Sequence, residues 1–147
     1  SNLFELAEHA KDLNITLGLE YLNRFESYLV SCTDELIALV DRVNHPNCQL
    51  MFDSFHANIE ETNLGDAIRK MGNRLVHVQL SENHRGTLGA GHVDFKDILT
   101  ALDEINYKGM VSIEAFSSKL SAANIWRNMF ESEMQLVNDS IQYLKSI

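Results

Sequence analysis

The amino-acid sequence predicts an α/β protein in which parallel strands are covered by helices. Short apolar runs alternate along the chain with stretches of helical periodicity, and this happens four times. A helix between consecutive strands is typical of parallel pairing. Because no linker-like or low-complexity segment divides the 147 residues, we predict one domain over residues 1–147.

In the first half of the chain, apolar residues at helical spacing predict a helix over residues 3–13. A strand follows over residues 15–22. Thr33 begins a second helix, whose apolar stripe runs to Val43 and which ends before Pro46. The next apolar run predicts a strand over residues 48–55.

The second half repeats this alternation. A short helix over residues 64–71 ends at Gly72, and a strand follows over residues 75–80. Asp94 is predicted to cap a helix whose apolar face extends to Ile105. The remaining elements are a strand over residues 110–116 and helices over residues 122–129 and 133–144.

Composition and charge restrict the function classes. A net charge of −9 argues against binding to a phosphate backbone, so we expect no nucleic-acid partner. No apolar run reaches the roughly 18 residues of a membrane span, and no signal peptide precedes the first helix. Cys32 and Cys48 show no metal-ligand spacing and suit free thiols in a reducing compartment. We therefore expect a cytoplasmic protein.

Each predicted strand ends in a residue that can donate an oxygen ligand. These residues are about one βα unit apart, and the carboxyl ends of parallel strands converge on one site. The four are Glu20, Asp53, Gln79 and Glu114. Residues two positions earlier point to the same face, so a second layer is expected just below, formed by Gly18, Met51, His77 and Ser112.

This set of side chains predicts a divalent-metal site. Three carboxylates in one place repel one another unless a cation neutralises them. Oxygen donors suit Mg²⁺ or Mn²⁺ better than Zn²⁺. Four protein ligands on a six-coordinate ion leave two positions for a substrate carbonyl and its neighbouring hydroxyl, and the metal would stabilise the resulting enediolate.

Five segments of the sequence also resemble the ketose 3-epimerase group (D-tagatose and D-psicose 3-epimerases) of the xylose-isomerase-like TIM barrels. The resemblance extends from about residue 10 to residue 120. It is carried by residues 19–26 (Leu-Glu-Tyr-Leu-Asn-Arg-Phe-Glu), 52–61 (Phe-Asp-Ser-Phe-His-Ala-Asn-Ile-Glu-Glu), 81–86 (Ser-Glu-Asn-His-Arg-Gly), 89–95 (Gly-Ala-Gly-His-Val-Asp-Phe) and 112–114 (Ser-Ile-Glu).

The resemblance implies a role for each matching residue. Glu20 and Glu114 correspond to an acid–base pair that removes and returns a proton on opposite faces of a sugar carbon, and with Asp53 they also correspond to metal ligands. The residues that resemble those holding the carbonyl end of the substrate are Glu26, His56 and Arg85. The implied cofactor is one divalent ion, with Mn²⁺ favoured and Mg²⁺ or Co²⁺ as alternatives.

The third strand departs from the family pattern. The family has His-x-His there, whereas this chain has His77-Val78-Gln79. The related hydroxypyruvate isomerases use a glutamine at this ligand position, so Gln79 is still expected to bind the metal. This difference leaves a hydroxypyruvate-isomerase-like or inositol-pathway activity as an alternative to ketose epimerisation. His77, in the layer below, is expected to be a hydrogen-bonded core histidine.

Length is a second departure, since a whole (β/α)8 barrel needs about 250 residues. The four strands match the carboxyl-terminal half of the family's barrel, so we expect about half a TIM barrel, a fragment of a longer chain. Its bare sheet edges predict self-association into a homo-oligomer. An inactive assembly module is therefore a further alternative.

A metal-dependent phosphodiesterase of the endonuclease IV type is disfavoured, because the chain is acidic and offers few histidine ligands.

Overall fold

The computed structural model describes residues 2–123 and 125–147, and its centre is one parallel sheet. The strands lie in the order β1-β2-β3-β4, and every neighbouring pair is parallel. The bounds are β1 Leu17–Leu19, β2 Cys48–Asp53, β3 Leu75–Leu80 and β4 Met110–Ile113. The prediction of an α/β fold with about half a TIM barrel is confirmed.

Helices precede, connect and follow the strands. They are α1 Asn2–Asp12, α2 Thr33–Val43, α3 Ser54–Glu60, α4 Leu64–Met71, α5 Phe95–Glu104 and α6 Glu133–Ser146, with short 3-10 turns at Gly72–Arg74 and Ser121–Ala123. The Asp94 side chain caps α5 as predicted, by accepting from the N–H of Asp97. Among the described residues, no helix is both long enough and apolar enough to cross a bilayer.

The core lies between the helices and the outer face of the sheet. Alternate residues of β2 and β3 point into it and are fully buried, as are side chains from α4 and α5. These residues are Leu50, Phe52, Val78, Leu80, Ile68 and Ile98. Burial of this face fixes the register, so the other residues of each strand must point to the inner face.

The inner face carries the predicted second layer. Gly18, Met51 and His77 line one open groove there. The ring of His77 lies 3.2 Å from the hydroxyl of Ser112 on the neighbouring strand. The layer is therefore present. His77 is hydrogen-bonded as expected, but it is only half-buried beside the open groove and does not lie in the core.

Two sequence-based assignments are wrong. The sequence predicts that the second strand continues to residue 55, but residues 54–60 form α3, because the Asp53 carboxylate accepts from the N–H of Phe55 and caps the helix. The helix predicted over residues 122–129 is not found among the described residues of this range. Ser121–Ala123 form a 3-10 turn and residues 125–129 are not helical, whereas residue 124 lies outside the described residues. Trp126 is 94% exposed, and a short helix needs a buried face to be stable.

The helix–sheet core generates a stability prediction. Ile68 of α4 is fully buried, so Ile68→Ala should lower the free energy of unfolding by about 2–5 kcal/mol in urea titrations. Ile141 of α6 is 40% exposed, and Ile141→Ala is the matched control, with a loss under about 1 kcal/mol. Equal losses for the two variants would contradict this description of the core.

Candidate metal and catalytic site

The four predicted ligands lie at one end of the sheet. Asp53 ends β2 and is paired in register with Gln79 of β3. Glu20 directly follows β1, and Glu114 directly follows β4, where its N–H donates to the carbonyl of Leu80 at 2.8 Å. Parallel pairing thus brings together residues that are widely separated in the sequence.

Arg85 lies among the carboxylates. Its Nη1 donates to Asp53 Oδ2 at 3.1 Å and to the Ser81 hydroxyl at 3.0 Å. The same nitrogen donates to Glu114 Oε2. Because Arg85 and Asp53 are both almost completely buried, this contact joins two charges that water screens poorly.

Two aromatic rings and an unusual backbone conformation hold Arg85 in place. Its guanidinium carbon lies 3.7 Å from the ring centroid of Phe55 and 4.6 Å from that of Phe116. The backbone of Arg85 has a φ of 62°, which is uncommon for a residue with a side chain. The N–H of Arg85 donates to the carbonyl of Glu82, and its carbonyl accepts from Phe116, so hydrogen bonds fix this conformation from both sides.

Glu82 organises the loop that carries Arg85. Its side chain is fully buried, and its carboxylate accepts from the backbone N–H groups of four loop residues. These are Asn83, Gly89, His92 and Val93, at 2.9–3.1 Å. The carboxylate thus replaces the backbone partners that this irregular loop lacks.

The electrostatics of the site show a shortage of positive charge. Burial, followed by the neighbouring carboxylates of Asp53 and Glu114, raises the pKa of Glu20 to about 7. Burial and the nearby Asp53 also raise the pKa of Glu114, and Arg85 opposes both shifts. One guanidinium therefore does not fully neutralise the three carboxylates.

The donor set fits a divalent cation. Ligand atoms of Glu20, Asp53 and His56 all lie within 4.8 Å of one another. This group shares two members with the predicted set and has His56 in addition. Gln79 is half-buried beside Asp53. Glu114 is connected to the cluster by Arg85, which contacts the carboxylates of both Glu114 and Asp53. Carboxylates that converge in this way, with the pKa of Glu20 and of Glu114 raised, are the arrangement that a bound cation relieves.

The predicted substrate-binding residues form a second group beside the carboxylates. His56 is buried on α3, 3.8 Å from Glu20 Oε1 and 3.4 Å from Arg85 Nη2. Burial, and then the charge of Arg85, lower the pKa of His56, which favours the neutral imidazole. The Asn23 amide lies between His56 and Glu26 and donates to the Glu26 carboxylate at 2.8 Å.

A cavity of about 430 Å³ opens next to these residues. Its wall includes Glu26, Phe55, Arg85 and Phe116. It is large enough for a small molecule with several oxygens. Asn23, Phe55 and Phe116 were not predicted as site residues. Phe55 directly precedes His56 and Phe116 lies two residues after Glu114, but only the fold shows what these aromatic residues contact.

Comparison with known proteins identifies the family. Residues 1–147 match the family described as xylose isomerase-like TIM barrel, and the chain belongs to this family. It is 36% identical over 146 residues to an L-ribulose 3-epimerase of Methylomonas sp. strain DH-1, covering 95% of this chain and 51% of that protein. It is 41% identical over 132 residues to a D-psicose 3-epimerase of Enterocloster bolteae, covering 87% and 44%.

A solved structure agrees with this relationship. The D-allulose 3-epimerase from Methylomonas sp., crystallised in complex with D-allulose, superimposes with a TM-score of 0.92 at 37% identity. The match covers 98% of this chain and 52% of that chain. This chain therefore spans about half the length of the relatives that it matches.

The raised pKa of Glu20 generates a pH prediction. The folded protein holds this proton up to a pH of about 7, whereas the ordinary pKa is 4.5, so the folded state binds more protons between these values. Stability of the metal-free protein should therefore fall as the pH rises through this window. Glu20→Gln should weaken that fall and raise the thermal midpoint at pH 8 in EDTA.

The control for this prediction is Glu131→Gln, because Glu131 is exposed and distant in sequence from the predicted ligands. It should keep the pH dependence of the unmodified protein in the same thermal scans. The electrostatic description of the site would be wrong if Glu20→Gln kept that dependence unchanged.

Proposed function

We propose that this chain carries the metal and acid–base residues of a sugar epimerase that inverts a carbon next to the carbonyl of a ketose. The observation that carries the proposal is the placement of Glu20 and Glu114 after the two outermost strands, with Asp53 between them and with the pKa of both glutamates raised. An acid–base catalyst works best when its pKa lies near the working pH. The named epimerase relatives, each matched over about half its length, support the same class of reaction.

The residues of the site supply the steps of this reaction. One glutamate removes the proton from the carbon beside the carbonyl, which produces an enediolate. The other glutamate returns a proton from the opposite face, so the configuration at that carbon is inverted. Arg85, His56 and Glu26 bind the substrate oxygens and hold the carbon between the two carboxyl groups.

A divalent ion would complete the site. Glu20, Asp53, Gln79 and Glu114 are the proposed ligands. Their oxygen donors suit Mn²⁺ or Mg²⁺, and Mn²⁺ is the proposed ion because the family resemblance favours it. When bound, the ion supplies Lewis acidity that stabilises negative charge on the substrate oxygens. The substrate is proposed to be a ketose, since the relatives are named for L-ribulose and D-psicose and one was crystallised with D-allulose.

The experiment is a ketose panel assayed with and without Mn²⁺. It uses this chain and a version extended to a complete eight-stranded barrel. In the active protein, Glu114→Gln should lower kcat by about 10²- to 10⁴-fold, the usual contribution of a positioned acid–base group. Glu131→Gln should leave kcat unchanged, because Glu131 is exposed and outside the site.

The outcomes separate the alternatives. Normal turnover by Glu114→Gln would refute the acid–base assignment. Turnover of hydroxypyruvate in place of ketoses would favour the isomerase-like activity that Gln79 suggests. Activity only in the complete barrel would make the 147-residue chain an assembly module without activity of its own.

We further propose that the chain forms a homodimer through the sheet edges. Among the described residues, β1 and β4 each pair with one neighbour only. On β4, Met110 is 70% exposed and Val111 is 42% exposed. A free strand edge with apolar side chains favours pairing with another chain, and a second copy supplies the complementary edge.

Light scattering at micromolar concentration tests this proposal. It should give twice the mass of one chain, and Val111→Lys should shift the protein toward monomer. Thr100→Lys places the same charge on the outer surface of α5 and should leave the dimer intact. The homodimer proposal would be refuted if the unsubstituted chain proved to be a monodisperse monomer.

A further inference from the structure

Asn23 is 1% exposed and directs two N–H groups at one atom of His56. The backbone N–H of Asn23 donates to His56 Nδ1 at 3.1 Å. The side-chain nitrogen of Asn23 lies 2.9 Å from the same Nδ1. The side-chain oxygen of Asn23 accepts from the N–H of Phe25 at 3.0 Å, so the amide nitrogen must be the atom that faces the ring.

These contacts determine which ring nitrogen carries the proton. A backbone N–H is always a donor, so His56 Nδ1 must offer its lone pair. In the neutral imidazole, the proton then lies on Nε2. The second donor, from the side-chain amide, stabilises the same tautomer.

The protonated Nε2 faces the carboxylate site. It lies 3.8 Å from Glu20 Oε1 and 3.4 Å from Arg85 Nη2. Both His56 Nε2 and Arg85 Nη2 carry hydrogens, so neither can accept a hydrogen bond from the other. A separation of 3.4 Å is also long for a hydrogen bond. An oxygen located between His56 and Arg85 would accept from both of them.

We infer that Asn23 is a positioning residue that holds His56 in the Nε2–H tautomer, as a hydrogen-bond donor to a substrate oxygen. His56 then has no lone pair directed at Glu20 and Asp53, so it is not a metal ligand, although it lies within reach of their ligand atoms. The substrate part of this inference rests on the proposed function. The tautomer itself does not.

The same amide connects His56 to a second substrate-binding residue. The Asn23 side chain donates to Glu26 Oε1 at 2.8 Å, so one buried group fixes both the ring and the carboxylate. The neighbouring Arg24 anchors this loop to α3, since its backbone N–H and its guanidinium both donate to the Glu60 carboxylate at 2.6–3.2 Å. Asn23 therefore acts from a loop that is bound at both its backbone and its side chains.

The tautomer can be measured without metal, substrate or turnover. Long-range ¹H–¹⁵N NMR of the 147-residue chain at pH 8 should show His56 protonated at Nε2, with a bare Nδ1. The chain has 6 histidines, and His56→Ala identifies the signals that belong to this ring. Protonation at Nδ1 in the unmodified chain would overturn the inference.

Asn23→Asp tests the side-chain contribution. It replaces the donor that faces Nδ1 with an acceptor of the same shape, so the share of ring protonated at Nδ1 should rise. Asn138→Asp makes the same change at an exposed position of α6 and should leave the His56 signals unchanged. An unaltered tautomer ratio in Asn23→Asp would assign the effect to the backbone N–H alone and overturn the role of the side chain.

Metal binding and kinetics complete the test. Calorimetry with Mn²⁺ should give His56→Ala an affinity within about threefold of the unmodified protein, whereas a 30-fold loss would make His56 a ligand. In the active protein, Asn23→Asp should raise KM about tenfold, the equivalent of one hydrogen bond, with a smaller change in kcat. If no ketose is turned over, the proposed function fails while the NMR result still decides the tautomer.

Discussion

The repulsion among three carboxylates at one end of a parallel sheet is the constraint on which the rest of this structure depends. Glu20, Asp53 and Glu114 are brought together by strand pairing, and burial, followed by the charges of the other two carboxylates, raises the pKa of Glu20 to about 7. Arg85 offsets part of this repulsion through its contacts with Asp53 and Glu114. Such a cluster opposes folding unless a cation reduces the repulsion, which is why this set of residues indicates a binding function rather than a purely structural one.

Holding Arg85 within that cluster requires support from several parts of the fold. Phe55 and Phe116 lie against its guanidinium, and Glu82 fixes the loop from which it projects. The Asn23 amide has the same role for His56 and Glu26. A site of this kind needs rigid neighbours around each charged group, because a displacement of about 1 Å can lower a reaction rate 10²-fold.

The length of the chain bears on how such a site can work. All four proposed metal ligands are within these 147 residues, whereas the matched relatives are about twice as long. The four strands leave the inner face of the sheet open, as the exposed Gly18 and the groove beside Met51 and His77 show. The proposed ligands of the cation all lie at the carboxyl ends of these four strands. Enclosing a sugar so that water is excluded needs walls on the other side as well.

The sequence by itself determined the sheet and the identity of its polar strand ends. Hydrophobic periodicity located the four strands and most helices, and βα spacing predicted that Glu20, Asp53, Gln79 and Glu114 would meet, because parallel pairing brings all carboxyl ends to one edge. Other features depended on the tertiary structure. Helix α3 forms where Asp53 caps it, residues 125–129 are not helical, and the contacts of Asn23 with His56 join positions 33 residues apart. Periodicity reports only which face of an element is buried, whereas such contacts depend on where the packed elements place each side chain in space.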